Sequence, residues 1–168
     1  MDLTTLPYEV TTMVLDDVPT VHTIEMEAFS LPWSAAAFVH ELQDNPSSQY
    51  LVLRYKPYIY EPPARKLLPR AMRHLVQSPT NDPALLGYGG YWMILEEAHI
   101  CTIALRSEWR ERGLGELLLL SLIENALARK AELVTLEVRV TNYRAQNLYT
   151  KYGFVITGKR IGYYSDNN

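Results

Sequence analysis

Two arginines and two glycines stand together in the segment 110–115, which has the sequence Arg-Glu-Arg-Gly-Leu-Gly. The glycines permit positive φ angles and a close approach of the backbone to a ligand. A helix that starts here would present N–H groups without internal partners, and its dipole would favour an anion. Arg110 and Arg112 add positive charge. The segment therefore predicts a pyrophosphate site, and the alternative is an ordinary glycine-containing loop with a solvated run of charges.

Two other phosphate-binding motifs do not fit the segment. A P-loop ends in Gly-Lys followed by Ser or Thr, and this combination is absent from the sequence. The dinucleotide-binding fingerprint needs a third glycine three positions after the second, where this chain has Leu118. The sequence therefore favours a phosphate site of another kind.

The elements that would position this segment follow from local patterns. Asp16 and Asp17 are expected to cap a first helix, and Ser34 a second. We predict the strongest helix over 113–130 and another over 143–152, and the first helix should bury four residues: Val21, Ile24, Ala28 and Phe29. Strands are predicted over 9–15, 49–55, 85–95, 98–105, 133–140 and 154–163, with a turn at Glu96-Glu97. The alternation from Ala98 onward indicates an α/β fold with a locally parallel pair of strands.

The stretch 56–84 differs in composition from the rest of the chain. It holds six prolines, which break long helices and strands, although a short helix over 69–77 is predicted. It contains five Lys and Arg residues and two Asp and Glu residues, whereas the remaining chain has 11 basic and 17 acidic residues. We interpret it as a basic insertion in a single domain of residues 1–168. Connections of this length are usually functional or mobile.

Length and composition exclude several classes of protein. The 168 residues, 48% hydrophobic and 21% charged, suit one globular core. The single cysteine, Cys101, excludes a disulfide framework, and the net charge of −3 disfavours nucleic-acid binding. The four histidines show no metal spacing, so no metal is expected. With no signal peptide and no run of about 20 apolar residues, a cytoplasmic protein with no membrane contact is expected.

Several motifs resemble the GNAT superfamily. Arg110, Gly113 and Gly115 match its acyl-CoA motif, Arg/Gln-x-x-Gly-x-Gly/Ala. More specific stretches are similar to the branch of RimI-type ribosomal-protein alanine N-acetyltransferases: Phe-Ser-Leu-Pro-Trp-Ser at 29–34, Leu-Glu-Val-Arg at 136–139, and the matches at 142–149, 152–154 and 163–167. The resemblance covers nearly all of the chain outside 56–84.

This resemblance implies a fold and a cofactor site. The fold would be a GNAT fold, a mixed central β-sheet splayed at the middle with flanking helices, with acetyl-CoA in the split. The backbones of Ile103, Ala104 and Leu105 would pair with the pantetheine arm, and Asn142 would hydrogen-bond the cofactor. The pyrophosphate would be surrounded by seven residues, chiefly through main-chain N–H groups: Arg110, Glu111, Arg112, Gly113, Leu114, Gly115 and Glu116.

The resemblance also places two residues in the chemistry. Aminolysis of a thioester needs a neutral amine, and a protein α-amino group, with a pKa of about 8, is partly neutral already. Glu137, a carboxylate in an apolar strand, would be the general base, acting directly or through water. Tyr149 would give its proton to the departing sulfur, and an N–H near Leu105 would polarise the acetyl carbonyl. The alternatives are a structural salt bridge between Glu137 and Arg139, and simple packing of Tyr149 on the sheet.

The acceptor implied is the N-terminal alanine of the small-subunit ribosomal protein numbered eighteen, or a broader set of protein N-termini. Trp33, Tyr163 and Tyr164 would lie near the acceptor, unless they only fill the core or cover the sheet. The acidic balance outside 56–84 suits a basic ribosomal tail. A lysine or small-amine acetyltransferase and a non-catalytic acyl-CoA-binding module remain the competing hypotheses.

The chain also departs from this family at its end. It stops at Asn168, where the family usually continues into one more strand, so the last strand of the sheet is expected to be missing. An unpaired sheet edge invites pairing with another chain. Self-association through an open edge is therefore predicted as a possibility beside the peptide partner.

Overall fold

The computed structural model describes residues 6–58 and 81–160, which form a five-stranded sheet with helices on both faces. The strands lie in chain order: β1 Tyr8–Thr12, β2 Ser48–Tyr55, β3 Leu85–Ile94, β4 Glu97–Leu105 and β5 Leu133–Leu136. The α-helices are α1 Val18–Ala28, α2 Ala35–Gln43, α3 Leu114–Ala128 and α4 Tyr143–Lys151, with short 3-10 turns at Leu15–Asp17, Lys56–Tyr58 and Ser107–Trp109.

The entrance to α1 differs from the predicted one. The first strand ends at Thr12 instead of residue 15, because the next residues turn into the 3-10 segment that precedes α1. Asp17 does not cap α1 with its side chain; its carboxylate accepts the Val14 amide at 3.0 Å and pairs with Arg54 of β2. Asp16 likewise lies within the 3-10 segment. Asp17 thus stands at the predicted N-cap position of α1, but its side chain makes no capping hydrogen bond to that helix.

The buried faces of α1 and α2 agree with the sequence pattern in most positions. Val21, Ile24 and Phe38 are fully buried, and Ser34 caps α2 by accepting the Ala37 amide at 3.2 Å. Phe29 is a wrong prediction, since it follows the last residue of α1 and is 39% exposed. Its extended backbone conformation directs the chain out of the helix.

The first four strands are antiparallel, and β5 then joins β4 in parallel after the crossover through α3. This confirms the predicted parallel pair. The turn between β3 and β4 consists of Leu95 and Glu96, one residue earlier than expected, because Leu95 adopts a positive φ of 58°. The helix predicted over 113–130 runs from Leu114 to Ala128.

The sheet separates two hydrophobic layers. On one face α3 inserts fully buried leucines against β3 and β4: Leu118, Leu119 and Leu122. On the other face α1 and α2 cover a cluster that includes Phe38, Tyr50 and Tyr88. Burial of this apolar surface is the main stabilising contribution, and it holds the strands that carry the site.

Two strand predictions near the end of the chain were too long. The strand predicted over 133–140 is β5, which ends at Leu136. Residues 154–160 form no strand, and Val155 and Ile156 are about four-fifths exposed, at 79% and 82%. The helix predicted over 69–77 and the end of the last predicted strand lie outside the described residues. Within 6–58 and 81–160, no helix has the length and apolar character of a membrane span.

Candidate active site

The sheet opens between its two parallel strands. β5 pairs with β4 only along the four residues from Glu97 to Ile100, opposite Leu133 to Leu136. β4 continues for five more residues to Leu105, and on the side away from β3 no strand of the described chain lies beside it there. The predicted splayed sheet is thereby confirmed, and one edge of the second half of β4 is left for another partner.

A β-bulge marks the point where the strands part. Gly90 of β3 pairs with Thr102, but the next residue, Tyr91, pairs with Ile100, so Cys101 is the additional residue of β4. A bulge bends its strand and shifts the alternation of side chains by one position. Accordingly, Ile100 and Ile103 both pack towards α3 although they are three residues apart. The bulge therefore explains why β4 turns away just after its last contact with β5.

The backbone groups of β4 beyond the bulge alternate between β3 and the opening. The Arg106 amide donates to the Leu86 carbonyl at 2.9 Å, so alternation in an antiparallel ladder directs the polar groups of Ile103 and Leu105 away from β3. The Leu105 carbonyl accepts instead from Arg110 Nε at 3.2 Å. The backbone of Ala104 faces β3, whereas the backbone groups of its two neighbours are directed towards the opening; pairing of the three residues with a pantetheine arm stays a prediction.

The loop that follows β4 has the backbone that an anion site requires. Glu111 and Gly113 have φ values of 66° and 77°, in the left-handed region that favours glycine. α3 begins at Leu114, and its first helical hydrogen bond runs from the Leu117 amide to the Gly113 carbonyl at 3.0 Å. The amides of residues 114–116 therefore have no partner within the helix and point to its positive end.

The side chains of this loop are held by neighbours on the protein surface. The Arg112 guanidinium lies 4.9 Å from the centre of the Trp109 ring, an attractive cation–π contact. Glu111 forms an ion pair with Arg144 of α4 at 2.8 Å, and both side chains are more than two-thirds exposed. These contacts leave positive charge at the mouth of the loop.

α4 is fastened to the start of α3 through Glu116. The Glu116 carboxylate pairs with Lys151 at 2.6 Å and accepts a short hydrogen bond from the Tyr152 hydroxyl. The hydrogen bond from Lys151, followed by that from Tyr152, lowers the pKa of Glu116 below its usual value. The sequence placed Glu116 at the cofactor, but in this structure its side chain is used to orient α4, and only its amide points to the loop.

α4 carries two of the predicted site residues. Asn142 precedes the helix, and its Oδ1 accepts the Ala145 amide at 3.1 Å, so its Nδ2 group is the end that can donate to a ligand. Tyr149 is half-buried, with its ring 5.7 Å from that of Phe154. Tyr149, Ile103 and Leu105 pack against the same buried cluster, on the α3 face of the sheet.

Glu137 lies just beyond the last residue of β5 and not inside a strand. Its side chain is 20% exposed and contacts two basic side chains: Oε2 lies 2.8 Å from His99 Nε2, and Oε1 lies 3.1 Å from Arg160 Nη1. Neither partner was expected from the sequence. A carboxylate with these contacts, at the point where the strands part, can accept a proton from a group bound in the opening.

Trp33 belongs to a wall of side chains that leads to Glu137. Its ring stacks on Trp92 with 6.2 Å between centres, and the Trp92 ring lies 6.3 Å from that of His99. The Trp33 amide donates to the buried Glu25 carboxylate at 2.9 Å, which fixes the loop between α1 and α2. We call Trp33, Trp92 and His99 the aromatic wall. Tyr163 and Tyr164, the other predicted acceptor contacts, lie outside the described residues.

Cys101, although it lies at the bulge, is not placed for nucleophilic chemistry. The thiol donates to the Gly90 carbonyl at 3.3 Å and lies 3.5 Å from the Tyr50 hydroxyl. Burial raises the pKa of the Cys101 thiol to about 11, so it is protonated at neutral pH.

The sequence missed His99 and Trp92 as members of the site. Both residues lie on strands that the sequence predicted. Which of their side chains meet depends on the register between β3, β4 and β5, which the sequence does not show. His99 pairs in register with Thr135, which places it beside Glu137. Within the described residues, no group of three or more potential metal ligands is close enough to hold an ion.

Comparison with known proteins agrees with this geometry. The model of the GNAT acetyltransferase family matches residues 18–154. A Bacillus subtilis protein, named "Putative ribosomal protein bS18-alanine N-acetyltransferase", is 36% identical over 155 residues, which cover 92% of this chain and 85% of that protein.

Solved structures share the fold. The ribosomal-protein-S18-alanine N-acetyltransferase from Escherichia coli superposes with a TM-score of 0.71 at 24% identity, over 94% of this chain and 83% of that one. The NatC complex bound to Gag peptide and CoA gives a TM-score of 0.70 at 15% identity, over 96% and 92%. At these identities the two likenesses support the fold alone.

Proposed function

The chain belongs to the GNAT acetyltransferase family and is an N-acetyltransferase, and we propose that it transfers the acetyl group of acetyl-CoA to the N-terminal α-amino group of a protein. The observation that carries the proposal is the opening between β4 and β5, with an anion-binding loop at one end and Glu137 at the other. The acceptor we infer is the N-terminal alanine of ribosomal protein bS18, the substrate in the names of the relatives.

The residues present fit acetyl-CoA as the acetyl donor. The free amides at the start of α3, with Arg110 and Arg112, suit a pyrophosphate. Ile103 and Leu105 offer backbone groups on the open edge of β4, which suit the amides of a pantetheine arm. The Asn142 Nδ2 group is a further donor on the α4 side.

Proton transfer would be divided between two side chains. Glu137 would take a proton from the amine, directly or through water, as the nitrogen attacks the acetyl carbonyl. Tyr149 would protonate the sulfur when the carbon–sulfur bond breaks, since a phenol is protonated at neutral pH. The Leu105 amide, which the strand register directs towards the opening, would stabilise the oxyanion that forms between these two steps.

The aromatic wall supports a peptide acceptor. It extends from the loop after α1 to His99, beside Glu137, so a chain terminus laid along it would bring its amine to the carboxylate. Outside 56–84 the chain carries 17 acidic and 11 basic residues, which favours approach of a basic ribosomal tail.

The proposal is tested by release of free CoA thiol with two matched peptides. One begins with the alanine terminus of bS18, and the other has the same sequence with a blocked terminus and free lysines. Release only with the free α-amine supports the proposal, and release with the blocked peptide would assign the enzyme to lysine acetylation. Tight binding of acetyl-CoA without release from either peptide would contradict catalysis and favour a binding module.

Tyr149→Phe separates the role of the phenol from its packing. The variant keeps the ring against Phe154 but has no proton to donate. We expect kcat to fall at least about tenfold, within the range of general acid contributions, while the KM for acetyl-CoA stays near the wild-type value. An unchanged kcat would show that the phenol only packs on the sheet.

A further inference from the structure

A chain of hydrogen bonds crosses the paired half of β4 and β5. Glu97 Oε1 accepts from the Thr135 hydroxyl at 2.5 Å, and Thr135 Oγ1 lies 2.9 Å from His99 Nδ1. The other ring nitrogen, Nε2, lies 2.8 Å from Glu137 Oε2. All four side chains project from the same face of the two strands, because His99 and Thr135 are register partners. The chain thus joins an outer carboxylate to the proposed base through a histidine.

The donors and acceptors in this chain determine the position of the histidine proton. The Thr135 hydroxyl has one proton, and an ionised Glu97 carboxylate can only accept it. The hydroxyl oxygen must therefore accept from the ring, so His99 carries its proton on Nδ1. In the neutral imidazole, Nε2 then has a lone pair.

This assignment has a consequence at Glu137. A lone pair on Nε2 and an ionised carboxylate oxygen would repel each other at 2.8 Å, so the contact requires one proton between them. The two groups together can hold that proton, as an imidazolium with a carboxylate or as an imidazole with a carboxylic acid. When the pair loses this proton, Oε2 of Glu137 and Nε2 of His99 are both hydrogen-bond acceptors, and both are directed at the space between them.

We propose that Thr135 and Glu97 are positioning residues, which fix His99 with Nδ1 protonated so that Glu137 and His99 Nε2 act together as the base. This inference rests on the proposed acetyl transfer. One proton passes from the acceptor nitrogen to the space between Oε2 and Nε2 as the carbon–nitrogen bond forms. The carbon–sulfur bond breaks, and the thiolate receives its proton from Tyr149. The proton held by the pair then returns to solvent, and the Tyr149 phenolate takes up one proton from solvent, which restores both groups.

The surroundings of His99 hold its ring in place. Trp92 packs beside it, and Trp92 Nε1 donates to the buried Glu41 carboxylate at 2.6 Å, which prevents rotation of the indole. The charged groups that face the pair are Glu97 through Thr135, Arg160 through Glu137, and Glu41 behind Trp92. The Thr135 hydroxyl is the contact at Nδ1 and Glu137 is the contact at Nε2, so Thr135 is the neighbour that favours a proton on Nδ1.

The first test measures the histidine tautomer directly in the free protein. Side-chain nitrogen NMR of the wild type, Thr135→Ser and Thr135→Val would be compared at a pH where the ring is neutral, and His99→Gln would assign the signal among the four histidines. We expect the Nδ1–H tautomer in the wild type and in Thr135→Ser, and loss of that preference in Thr135→Val. An Nε2–H tautomer in the wild type, or no change in Thr135→Val, would overturn the proposal.

The second test is kinetic and separates positioning from simple stability. Thr135→Val should lower kcat about tenfold, the lower end of the cost of removing a group that orients a functional histidine, with an unchanged KM for acetyl-CoA. The pH at which kcat is half-maximal should move, and Thr135→Ser should restore both quantities. A Thr135→Val enzyme with the wild-type pH profile would contradict the inference. If the wild type acetylates neither peptide, the proposed function fails, while the NMR result still decides the role of Thr135.

Discussion

The two halves of β4 differ in which of their groups, backbone or side chain, have no partner in the sheet. From Glu97 to Ile100 the strand has neighbours on both sides, so its backbone is satisfied and only side chains such as His99 are left to act. From Cys101 to Leu105 it has β3 on one side and no strand of the described chain on the other. There the backbone itself is available. We propose the first half for proton transfer and the second for binding a cofactor.

A β-bulge at Cys101 lies at the boundary between the two halves. Pairing with β5 ends at Ile100, one residue before the bulge, and a bulge bends its strand. A chain can therefore provide a linear binding edge inside a sheet by ending one strand early and bending its neighbour. Variants that affect only one half should separate catalysis from cofactor binding.

The largest effect is expected from Glu137→Gln, which alters the first half alone. Because the amide cannot accept the amine proton, kcat should fall at least about 100-fold, within the range for a general base. Calorimetric titration should give an unchanged affinity for CoA, since the second half is intact. Glu132→Gln, the same chemical change at an exposed residue just before β5, should retain wild-type kcat. Loss of CoA affinity in Glu137→Gln would contradict the separation.

The bulge is tested by Gly90→Ala, which should affect both halves. A Cβ at this position would lie 2.3 Å from the ring of Tyr50, which is buried. We expect the free energy of unfolding in urea to fall by about 1–3 kcal/mol, the usual cost of overpacking. Gly158→Ala, where an added Cβ meets no atom within 4 Å, is the control and should be neutral. Equal stability of both variants would refute the tight packing at the bulge.

The second half is tested by Gly113→Ala, with Gly153→Ala as a control matched for backbone strain. Their φ values are 77° and 83°, and an added Cβ meets no atom within 4 Å at either position. Both should lose about 1–2 kcal/mol of stability, the cost of the left-handed region for a residue with a side chain. Only Gly113→Ala should also raise the KM for acetyl-CoA. A similar rise in Gly153→Ala would remove the assignment of the loop to cofactor binding.

The smallest expected effect is on stability and comes from Glu25. This residue holds the Trp33 end of the aromatic wall, which lies beside the first half of β4. Burial, the largest cause, raises the pKa of this carboxyl above its ordinary value of 4.5, despite hydrogen bonds from the Trp33 amide and the Tyr88 hydroxyl. Its contribution to stability is therefore complete below that pH and is lost as the pH rises through the raised pKa. Wild type should lose unfolding free energy relative to Glu25→Gln as the pH increases above 4.5. Parallel pH curves for the two proteins would contradict this assignment.

Local signals in the sequence were sufficient for much of the fold. Some elements can be recognised from their own residues, without knowledge of the neighbouring elements. They are the helix after Ser34, the leucine-rich helix after Gly113 and the strands around Tyr88, and each was predicted to within a few residues. The glycine loop was also found, since Gly113 needs a conformation that few other residues adopt.

Features that depend on neighbouring strands could not be predicted. Residues 137–140 have the composition of a strand, but β5 ends at Leu136, where pairing with β4 ends. The meeting of His99 with Glu137 depends on a register set by the whole crossover through α3, and no local pattern contains it. The specific role of each site residue is, for the same reason, still a prediction.

The most direct test of this account is a titration of the 15N-labelled protein with CoA, followed by amide chemical shifts. The account predicts the largest changes at Ile103, Leu105 and residues 114–116, and little change at Leu95 in the β3–β4 turn. Large shifts confined to other surfaces, with the open edge of β4 unaffected, would contradict the claim that the cofactor lies where β4 and β5 part.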